Sequence, residues 1–542
     1  INETTASISL EYEISAKDDS GQTEYYNVTE FYRMRYTESR IRLLDFERSA
    51  TQVFDPNLSV ISDSGLLLGV RDKNVETVTN DAETVTAFCQ DGDLWSYAPD
   101  TGKFVNIFTF RKSDNSDVRD SRVVHDIKLL SVEDDGDVNF MVLGYMNRGI
   151  HEGYCGVGIY HYSNDQNVVE EKVFIPSTRS YEFLKSDLGT LSYVSSNNQL
   201  FLLLSGKLYQ INIDESNYEI LEEGIKESEF AVSETNAHAA WRIQEGEQAG
   251  QIREIDFDSL ATRDIAPDNG QQLRILGFMN EDIVYGTVQD GDSLTDENGH
   301  TTEGITTLRI EGFDGTVKKE YHQDGLYLTN VTVGSSLIEF NLSEKTGNSY
   351  TAKKNDNIMN NSSEAVVQAS VEQTSSDRKG VIVRLVFSEA PGSDKPLILQ
   401  SKMKNVGERT VKLPSDAVSQ ETYYVYAHGG LDSTWTDPAQ AVLRADAGTG
   451  VVLNREQQYV WERGNMKTQL TLNTEDIPEI IRSGSWDKAA LQEGLGDKGT
   501  VIDLTGCSLE NVLYEISAQR AVIAKTGADS SVVIVGYDEY NT

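Results

Sequence analysis

Cysteine is scarce in this sequence, and its three cysteines lie far apart. Cys89, Cys155 and Cys507 form no close pair and no C-x-x-C motif, so the spacing typical of a disulfide framework or a zinc ribbon is missing. An odd number of cysteines also excludes complete intramolecular pairing. Because 38% of the residues are hydrophobic, we expect a globular chain whose packed cores carry its stability.

Positive charge is scarce as well. Lysine and arginine total 47 against 87 aspartates and glutamates, which gives a formal net charge of −40. The acidic residues are spread along the chain and are not gathered into a tail. This balance opposes binding to phosphate backbones, or to anionic membranes, through a basic face. We therefore expect no nucleic-acid partner.

Long apolar runs and clustered histidines are also missing from the sequence. No stretch approaches the roughly 18 apolar residues that a membrane-spanning helix needs, and no signal peptide is evident. The chain begins at Ile1 without a methionine, so we expect an extracellular protein that a preceding N-terminal transmembrane segment tethers to the cell surface. The seven histidines are scattered, and His151 and His161 lack a partner at ligand spacing. We predict no metal and no cofactor.

Short alternating strands, in contrast, are abundant, beginning with the first 71 residues. Apolar residues of the first strand alternate with polar ones at Ile8, Leu10, Tyr12 and Ile14. This period of two predicts a strand that is buried on one face. A turn is predicted at Lys17–Gln22, where acidic residues and a glycine separate two strands.

Between Val85 and Pro414 a strand-rich unit repeats about every forty to fifty residues. The first copy, Thr84–Phe110, reads strand, Asp-Gly turn, strand, Asp-x-x-Gly turn, strand. Comparable units occupy Asp126–Ile175, Tyr181–Leu221, Phe230–Ile265 and Leu273–Tyr321. Each unit is predicted to be a four-stranded antiparallel sheet that must stack on its neighbours to bury both faces.

Radial stacking of such sheets predicts a mainly β fold with an N-terminal β-propeller over residues 1–414. Counting the N-terminal strands and Val381–Val411 as further units gives about seven or eight blades. Two β-sandwiches are the alternative, because the same short strands satisfy that fold. The polar stretch Asn355–Asp377 is predicted to be a surface excursion between blades.

Acid-rich turns resemble calcium loops in composition only. Asp114–Asp120, Asp134–Asp137 and Asp290–Asp292 lack the twelve-residue ligand spacing that ends in glutamate. We interpret them as solvated turns. A catalytic pair of carboxylates cannot be singled out either, because acidic residues are everywhere and the sequence contains no separation distance. No catalytic, cofactor-binding or metal-binding residue is therefore predicted.

A small module of strand, helix and strand is predicted over residues 415–454. Tyr423–Ala427 and Val451–Leu453 read as strands, and Ala439–Ala445 reads as a helix whose first turn tolerates the preceding Pro438. This βαβ unit is superficially similar to sporulation-related peptidoglycan-binding modules. The alternative is an adaptor that docks the propeller to the C-terminal region.

A helix and a hairpin are predicted from Gly506 to Tyr537. Ser508 can cap the helix, which ends near Ala518, and its apolar residues recur at helical spacing. Two apolar runs follow, Ala521–Ala524 and Val532–Val535, with turn-forming residues between them. Upstream, Thr474–Arg482 and Asp487–Leu495 are predicted to be helical.

This succession resembles the C39-like branch of the papain-like cysteine peptidases, in which a helix, a "PVIA" strand and an "H-x-V-x-V-G-Y-D" strand follow one another. The segment that begins at Tyr459, "YVWERG", is also similar to one that leads into such domains. The resemblance implies a small α+β domain over residues 455–542, truncated before the residue that would orient a catalytic histidine. Trp461 is expected to lie in its core.

The catalytic residues of that family are not matched. The histidine that opens the last strand corresponds here to Ser530 or Ser531, and a hydroxyl cannot replace an imidazole base near neutral pH. The family's nucleophile lies upstream, yet Val451–Thr505 contains no cysteine. Cys507 is interpreted as a small, half-buried structural residue, the alternative being a thiol activated by a helix N-terminus.

Two classes of function fit these observations. The first is a non-catalytic cell-surface binding protein, monomeric, with the propeller as a display platform. Its degenerate peptidase-like domain would bind a peptide, a peptidoglycan fragment or another surface protein. The second is an extracellular hydrolase, a cysteine peptidase or a glycan-active enzyme. The missing base and nucleophile favour the first.

Overall fold

The computed structural model describes most of the chain, and its regular structure is mainly β-strand. The described residues are 5–18, 20–62, 65–112, 117–188, 191–244, 250–295, 301–347, 349–360, 369–388, 390–392, 395–404, 409–414, 421–463, 469–483, 487–527 and 530–538. None of the helices in these ranges combines the length and the apolar character needed to span a bilayer.

The chain begins with a three-stranded antiparallel meander of long strands, β1 (Thr5–Lys17), β2 (Thr23–Thr37) and β3 (Arg40–Gln52). The turn predicted at Lys17–Gln22 joins β1 to β2 and is closed by a hydrogen bond from the Asp18 amide to the Gln22 carbonyl. The strands themselves are therefore confirmed.

The predicted burial of β1 is wrong. Ile8, Leu10, Tyr12 and Ile14 alternate with polar residues, but they are 40–46% exposed. The meander is also not one of the repeated sheets, since in the described chain its strands pair only with one another. Alternation reports the pleat of a strand, whereas burial depends on whether another layer covers the face.

A series of short strands follows the meander. The first ten are β4 (Ile61–Ser62), β5 (Gly65–Gly69), β6 (Thr77–Thr79), β7 (Thr86–Gln90), β8 (Asp93–Ala98), β9 (Lys103–Phe108), β10 (His125–Val132), β11 (Val138–Tyr145), β12 (Cys155–Ser163) and β13 (Val168–Ser177). The next elements are α1 (Tyr181–Leu188), β14 (Ser192–Val194), β15 (Gln199–Leu204), β16 (Lys207–Asn212), β17 (Asn217–Glu222), β18 (Phe230–Val232), β19 (His238–Arg242), β20 (Ile252–Asp256) and β21 (Thr262–Ile265). The remainder are β22 (Gln271–Met279), β23 (Asp282–Thr295), β24 (Thr301–Glu311), β25 (Val317–His322), β26 (Tyr327–Val333), β27 (Leu337–Thr346), β28 (Ser349–Met359), β29 (Ala369–Ser376), β30 (Gly380–Phe387), β31 (Leu397–Gln400) and β32 (Lys402–Lys404).

Most of these strands pair in chain order, as the predicted repeat requires. The strands β6–β9, β10–β13, β14–β17, β18–β21 and β22–β25 each follow this pattern, and β26–β28 extend the last sheet through β24. In the first unit, the predicted Asp91-Gly92 turn connects β7 to β8, and both residues have positive φ. A tight hairpin with this geometry matches the twist of the strands it joins.

Successive sheets share buried apolar cores. Phe108 of the β6–β9 sheet packs on Phe140 of the β10–β13 sheet with ring centroids 5.7 Å apart. Phe201 of the β14–β17 sheet packs on Phe257, just after β20, at 4.4 Å. A series in which each sheet packs on the next is propeller-like, and two separate β-sandwiches would not produce it.

One sheet combines the two ends of this region. Its strand order is β29-β30-β5-β4, so segments about 300 residues apart lie side by side. Leu66 pairs with Leu385 across the joint. Gly65 has φ +134, and a Cβ there would lie 1.9 Å from the Leu385 carbonyl oxygen, so the two backbones meet where only glycine fits.

The prediction of a further repeat unit at Val381–Val411 is wrong. Its first part is β30, and its later part adds single strands to sheets formed much earlier in the chain. The strand β31 pairs in parallel with β9, and β32 pairs in parallel with β13. Strands of three or four residues are too short to form a sheet alone, so they bind at existing sheet edges.

The prediction of a surface excursion at Asn355–Asp377 is also wrong at both ends of this range. Its first residues belong to β28 and its last residues to β29, while 361–368 lie outside the described residues. The polar composition reflects solvent-facing strand positions, since most side chains of β28 are exposed.

The C-terminal region is smaller and contains both helices and strands. Its elements are β33 (Tyr423–Ala427), β34 (Gly430–Trp435), α2 (Pro438–Ala447), β35 (Val451–Leu453), β36 (Tyr459–Glu462), β37 (Leu470–Thr471), α3 (Glu479–Arg482), α4 (Lys488–Leu495), α5 (Leu509–Ser517), β38 (Val522–Gly527), β39 (Ser530–Ile534) and β40 (Gly536–Tyr537). The sheet order is β34-β33-β35-β36, and β38-β39 and β37-β40 form two-stranded sheets.

The predicted βαβ unit needs correction. The strand β34 lies between β33 and α2, and β33 pairs with β35 in antiparallel fashion. A strand–helix–strand crossover would make the outer strands parallel. An extra hairpin strand reverses the chain once more before the helix, which changes the direction of β35.

The predicted helix and hairpin at the C-terminal end are confirmed. Ser508 caps α5 in a capping box with Asn511, the helix ends at Ala518, and β38 pairs with β39. The helix predicted at Asp487–Leu495 matches α4, but that at Thr474–Arg482 is only the single turn α3. Pro478 restricts the residue before it to extended conformations, so the helix begins after it.

The C-terminal region contacts both the N-terminal meander and α1. Phe183 of α1 packs on Tyr424 with ring centroids 4.7 Å apart. Phe31 of β2 packs on His428, in the turn between β33 and β34, at 5.1 Å. The guanidinium of Arg33 donates a hydrogen bond to the Thr449 carbonyl.

Candidate functional site: a groove in the C-terminal region

The C-terminal region contains a groove with a volume of about 1580 Å³. Its walls are α4, the connection Leu495–Cys507, one side of α5, and the strands β36 and β38. Pockets for small molecules usually measure about 300–1,000 Å³. The groove is therefore large enough for a segment of a polymer.

One wall of the groove is a strand edge. Five consecutive residues, Ala521–Lys525, line it. Because consecutive side chains of a strand point to opposite faces, an unbroken run of lining residues means that the groove meets the edge of β38. Within the described chain, β39 is the only strand that pairs with β38. This edge can accept a further strand.

Another wall consists mostly of irregular backbone. All residues from Leu495 to Cys507 line the groove, and three of them are glycines. The Gln492 side chain braces this segment by donating to the Gly499 carbonyl and accepting from the Val501 amide. Two further strands contribute to the groove, β36, which is the edge of its four-stranded sheet, and β39 through Ile534.

A partly buried ion pair, Glu515 with Arg520, also lines the groove. Glu515 of α5 is 6% exposed and accepts a hydrogen bond from Arg520 through Oε2. Arg520 also donates to the Val460 carbonyl of β36 at 3.4 Å. Burial raises the pKa of the Glu515 carboxyl, and the nearby Arg520 opposes that rise. Glu515 Oε1 has no hydrogen-bond partner among the described residues.

Sequence reasoning missed this pair, although a signal for it exists. Glu515 follows Val512 by three residues and therefore lies on the apolar face of α5. A charged residue on the buried face of an amphipathic helix needs a partner. The partner, Arg520, comes from the turn after the helix, and the spacing alone does not determine that contact.

Cys507 lines the groove but is poorly suited to be a nucleophile. Its thiol is half-buried and donates to the Ala439 carbonyl at 3.7 Å. Burial, together with nearby carboxylates such as Asp437 and Glu515, raises its pKa to about 12. The thiol is therefore protonated near neutral pH. The predicted half-buried position of Cys507 is confirmed.

Histidine is absent from the sequence after His428, and none of the described residues that line the groove is a histidine. Ser530 and Ser531, which occupy the place of the family's histidine, open β39. The Ser530 hydroxyl forms a hydrogen bond of 3.0 Å with Thr526 across the hairpin. These serines close a turn, and this arrangement supplies no base of suitable pKa.

The aromatic residues of "YVWERG" divide between core and groove. Trp461 is fully buried and packs edge-on against Tyr514 at 5.7 Å, which confirms its predicted core position. Tyr459 is 59% exposed and lines the groove. Arg463 pairs with Asp446 at 3.4 Å.

Histidines and acidic turns elsewhere form polar contacts within the protein. His151 lies in a turn, stacks on Phe174 and bonds to Glu171, and His161 of β12 bonds to Asn139. The interpretation of Asp290–Asp292 as a solvated turn is wrong at one residue. Asp292 is buried and pairs with Lys345, because β23 continues through this segment.

One group of side chains in the described part of the chain has the donors for a metal ion. Asp45, Glu47 and His428 place one ligand atom each within 4.8 Å of the others. His428 Nδ1 lies 3.4 Å from Glu47 Oε2, and both carboxylates are at the surface of the meander. We describe this group as an ion pair that joins the β33–β34 turn to β3.

No known family model matches the sequence, and no curated protein matches it. Among solved structures, Porphyromonas gingivalis dipeptidyl peptidase 4 is 9% identical, with 59% of this chain and 58% of that chain covered and a TM-score of 0.28. Acinetobacter baumannii TolB is 9% identical, with 71% and 80% covered and a TM-score of 0.19. Kluyveromyces lactis Hsv2 is 9% identical, with 57% and 97% covered and a TM-score of 0.25.

The chain thus spans little more than half of the length of the dipeptidyl peptidase. Similarities of this size carry no argument about activity. The strand order and the shared cores of this chain are what make its fold propeller-like.

Proposed function

We propose that this chain is a non-catalytic binding protein of a cell surface, and that its C-terminal groove holds an extended peptide, free or as part of a cell-wall fragment. The edge of β38 is the observation that carries the proposal. An extended peptide pairs with such an edge through its own backbone and places alternate side chains in the groove.

The charge of the groove supports a peptide that is not strongly basic. Its lining contains four basic and three acidic side chains, against a net charge of −40 for the chain. The basic residues are Lys488, Lys498, Arg520 and Lys525, and the acidic residues are Asp497, Asp503 and Glu515. A neutral or mildly acidic peptide meets less repulsion here than elsewhere on this surface.

Binding without cleavage is supported by the state of Cys507. A thiol with a pKa near 12 and no imidazole beside it is not an activated nucleophile. The order α5, β38, β39 supports our proposal that residues 455–542 are a C39-like scaffold without the family's catalytic residues.

We also propose that the sheets close into a ring of seven blades that serves as a display platform. Four blades are the sheets β6–β9, β10–β13, β14–β17 and β18–β21. Two more are the two parts, β22–β25 and β26–β28, of the seven-stranded sheet, and the seventh is the sheet that joins β4–β5 to β29–β30. That last sheet supports closure, because its strands come from both ends of the propeller-like region and so connect the last blade to the first. Electron microscopy that showed an open arc, or eight blades, would contradict this part.

Peptide binding is tested with the purified chain and a library of random heptapeptides, with affinities measured by fluorescence polarisation. For a peptide that binds, we compare N-methylation of the odd-numbered residues with N-methylation of the even-numbered residues. We expect one of these two sets to weaken affinity about tenfold or more and the other to have little effect, because only alternate amides pair with the strand edge. An equal effect of both sets would argue against strand pairing.

Two matched substitutions locate the peptide. Leu509 lines the groove and is 55% exposed, so Leu509→Arg should weaken binding about tenfold without unfolding the chain. Leu397 is 53% exposed and lies outside the groove, so Leu397→Arg should leave the affinity unchanged. Mass spectrometry of the peptide after incubation tests the alternative function, because cleavage would favour a hydrolase.

A further inference from the structure

A second cavity, of about 340 Å³, lies among the propeller-like sheets, far along the chain from the groove. Its walls are the end of β3, the connection before β6, the β7–β8 turn and the start of β10. Its volume falls in the range of small-molecule sites, which is about 300–1,000 Å³. Nothing in the proposed peptide-binding function uses this cavity.

Polar groups without partners are concentrated in its wall. Gln90, at the end of β7, is 2% exposed, and neither Nε2 nor Oε1 has a hydrogen-bond partner among the described residues. His125, at the start of β10, is 4% exposed, and its Nδ1 also has none. Buried polar atoms are nearly always paired, so three orphaned atoms around one cavity call for an occupant.

The hydrogen bond of the His125 ring determines whether its other nitrogen, Nδ1, is a donor or an acceptor. His125 Nε2 lies 2.8 Å from the Gly92 carbonyl, which can only accept, so Nε2 carries the proton. Burial lowers the pKa of His125, which favours the neutral ring. Nδ1 is therefore an acceptor that needs a donor. Gln90 adds one further acceptor and two N–H donors.

The charge around the cavity determines the sign of the occupant. Four carboxylates line it against one guanidinium, and Lys185, which does not line it, pairs with the carboxylate of Asp126 at 2.8 Å, so the balance is −2 with His125 neutral. The carboxylates belong to Asp72, Glu76, Asp91 and Asp126, and the guanidinium belongs to Arg71. Arg71 already donates to the Leu68 and Gln52 carbonyls and lies 3.8 Å from Asp91. Its charge is therefore offset by Asp91, which weakens the attraction of the cavity for an anion.

We propose that this cavity binds a small primary amine that carries a neighbouring hydroxyl or carbonyl oxygen. The ammonium group would donate to His125 Nδ1 and Gln90 Oε1 in the field of the carboxylates, and the oxygen would accept from Gln90 Nε2. Amino sugars and amino-acid amides share this chemistry, and they differ in the shape that carries it.

Binding is measured by titration calorimetry on the full chain with two probes, glucosamine and alaninamide. Each has a control in which acetylation removes the positive charge, N-acetylglucosamine and N-acetylalaninamide. We expect at least one amine to bind about tenfold more tightly than its acetylated form, because the charge and a donor are both lost. Which amine binds identifies the source of the ligand.

The substitution Gln90→Met keeps the length of the side chain and removes its polar atoms. We expect a loss of affinity of about tenfold together with a higher melting temperature, because an orphaned amide is replaced by an apolar group. The matched control is Asn106→Leu, since Asn106 on β9 of the same sheet also has an orphaned oxygen and does not line the cavity. The Asn106→Leu variant should bind the amine with the same affinity as the unaltered chain.

Three results would overturn the proposal. One is the absence of binding by both amines at about 10 mM, a concentration that would detect even weak affinity. That result would mean that the cavity holds only water. Another is equal affinity for an amine and its acetylated form. The third is unchanged affinity in a folded Gln90→Met variant.

Discussion

The indole N–H of Trp461 donates a hydrogen bond to the Asn511 carbonyl, with Nε1 and O separated by 3.0 Å. This bond joins β36 to α5 inside a buried cluster that also includes Val442 and Tyr514. The four-stranded sheet and the helix–hairpin segment are therefore packed as one unit, and one side of the groove depends on their contact.

Trp461→Ala should destabilise the C-terminal region by about 3–5 kcal/mol, because it removes a fully buried aromatic side chain and leaves the Asn511 carbonyl without its donor. The measurement is urea unfolding followed by circular dichroism. Tyr459→Ala is the matched control: Tyr459 is 59% exposed on the same strand and should change stability by less than about 0.5 kcal/mol. Equal effects would contradict this packing.

Gly65→Ala should destabilise the sheet that joins the two ends of the propeller-like region. The added Cβ would collide with the Leu385 carbonyl at 1.9 Å, on a backbone with φ +134, so we expect a loss of more than about 3 kcal/mol. Gly21 also has positive φ but has nothing within 4 Å. Gly21→Ala should therefore lower the free energy of unfolding only by the cost of the backbone conformation, about 1 kcal/mol. Both variants are measured by thermal unfolding.

Asp93 predicts a pH dependence of stability. Burial raises its pKa to about 6, against the opposing effect of Arg111. The folded state thus holds the proton more tightly than the unfolded state, so this contribution is fully present below the unfolded pKa near 4. It is lost as pH rises through 6. The stability of Asp93→Asn relative to the unaltered chain should rise across this window by up to about 3 kcal/mol, measured by urea unfolding.

Asp264 is the control with the opposite sign. Hydrogen bonding to Arg253 lowers its pKa, so its contribution is present above the unfolded pKa and is lost as pH falls. Asp264→Asn should therefore lose stability mainly at neutral pH. Parallel pH profiles for the two variants would refute the assigned electrostatics.

Cys507 should react slowly with iodoacetamide in the folded protein. Between an ordinary thiol pKa near 9 and a value of about 12, the thiolate fraction at pH 8 falls about a thousandfold. Mass spectrometry should find rapid alkylation of Cys507 only after unfolding in urea. Fast modification of the folded chain would revive the reactive-thiol alternative.

The elements whose boundaries depend on local chemistry were predictable. The capping box of α5 at Ser508, the Asp91-Gly92 turn and the hairpin after Ala521 are set by residues adjacent in the chain. Short-range hydrogen bonds and backbone preferences act over a few positions. The helix predicted at Thr474–Arg482 is shorter in the structure for a local reason too, because Pro478 restricts the residue before it to extended conformations.

Contacts between distant residues could not be predicted in this way. The pairing of β5 with β30 and the ion pair of Glu515 with Arg520 depend on where the whole chain brings its segments. The exposure of Ile8 depends on a layer that is absent from one face of the meander in the described chain. Periodicity reports which side chains share a face, and it contains no information on what packs there.

The sequence by itself therefore determined a mainly β chain of repeated antiparallel sheets with a small α+β C-terminal region, because alternation, turns and caps are local properties. Only the tertiary structure decided that the two ends of the repeat share one sheet and that the edge of β38 faces a groove. It also decided that Gln90 and His125 line a common cavity. These relationships arise from packing between distant segments, which one-dimensional patterns do not encode.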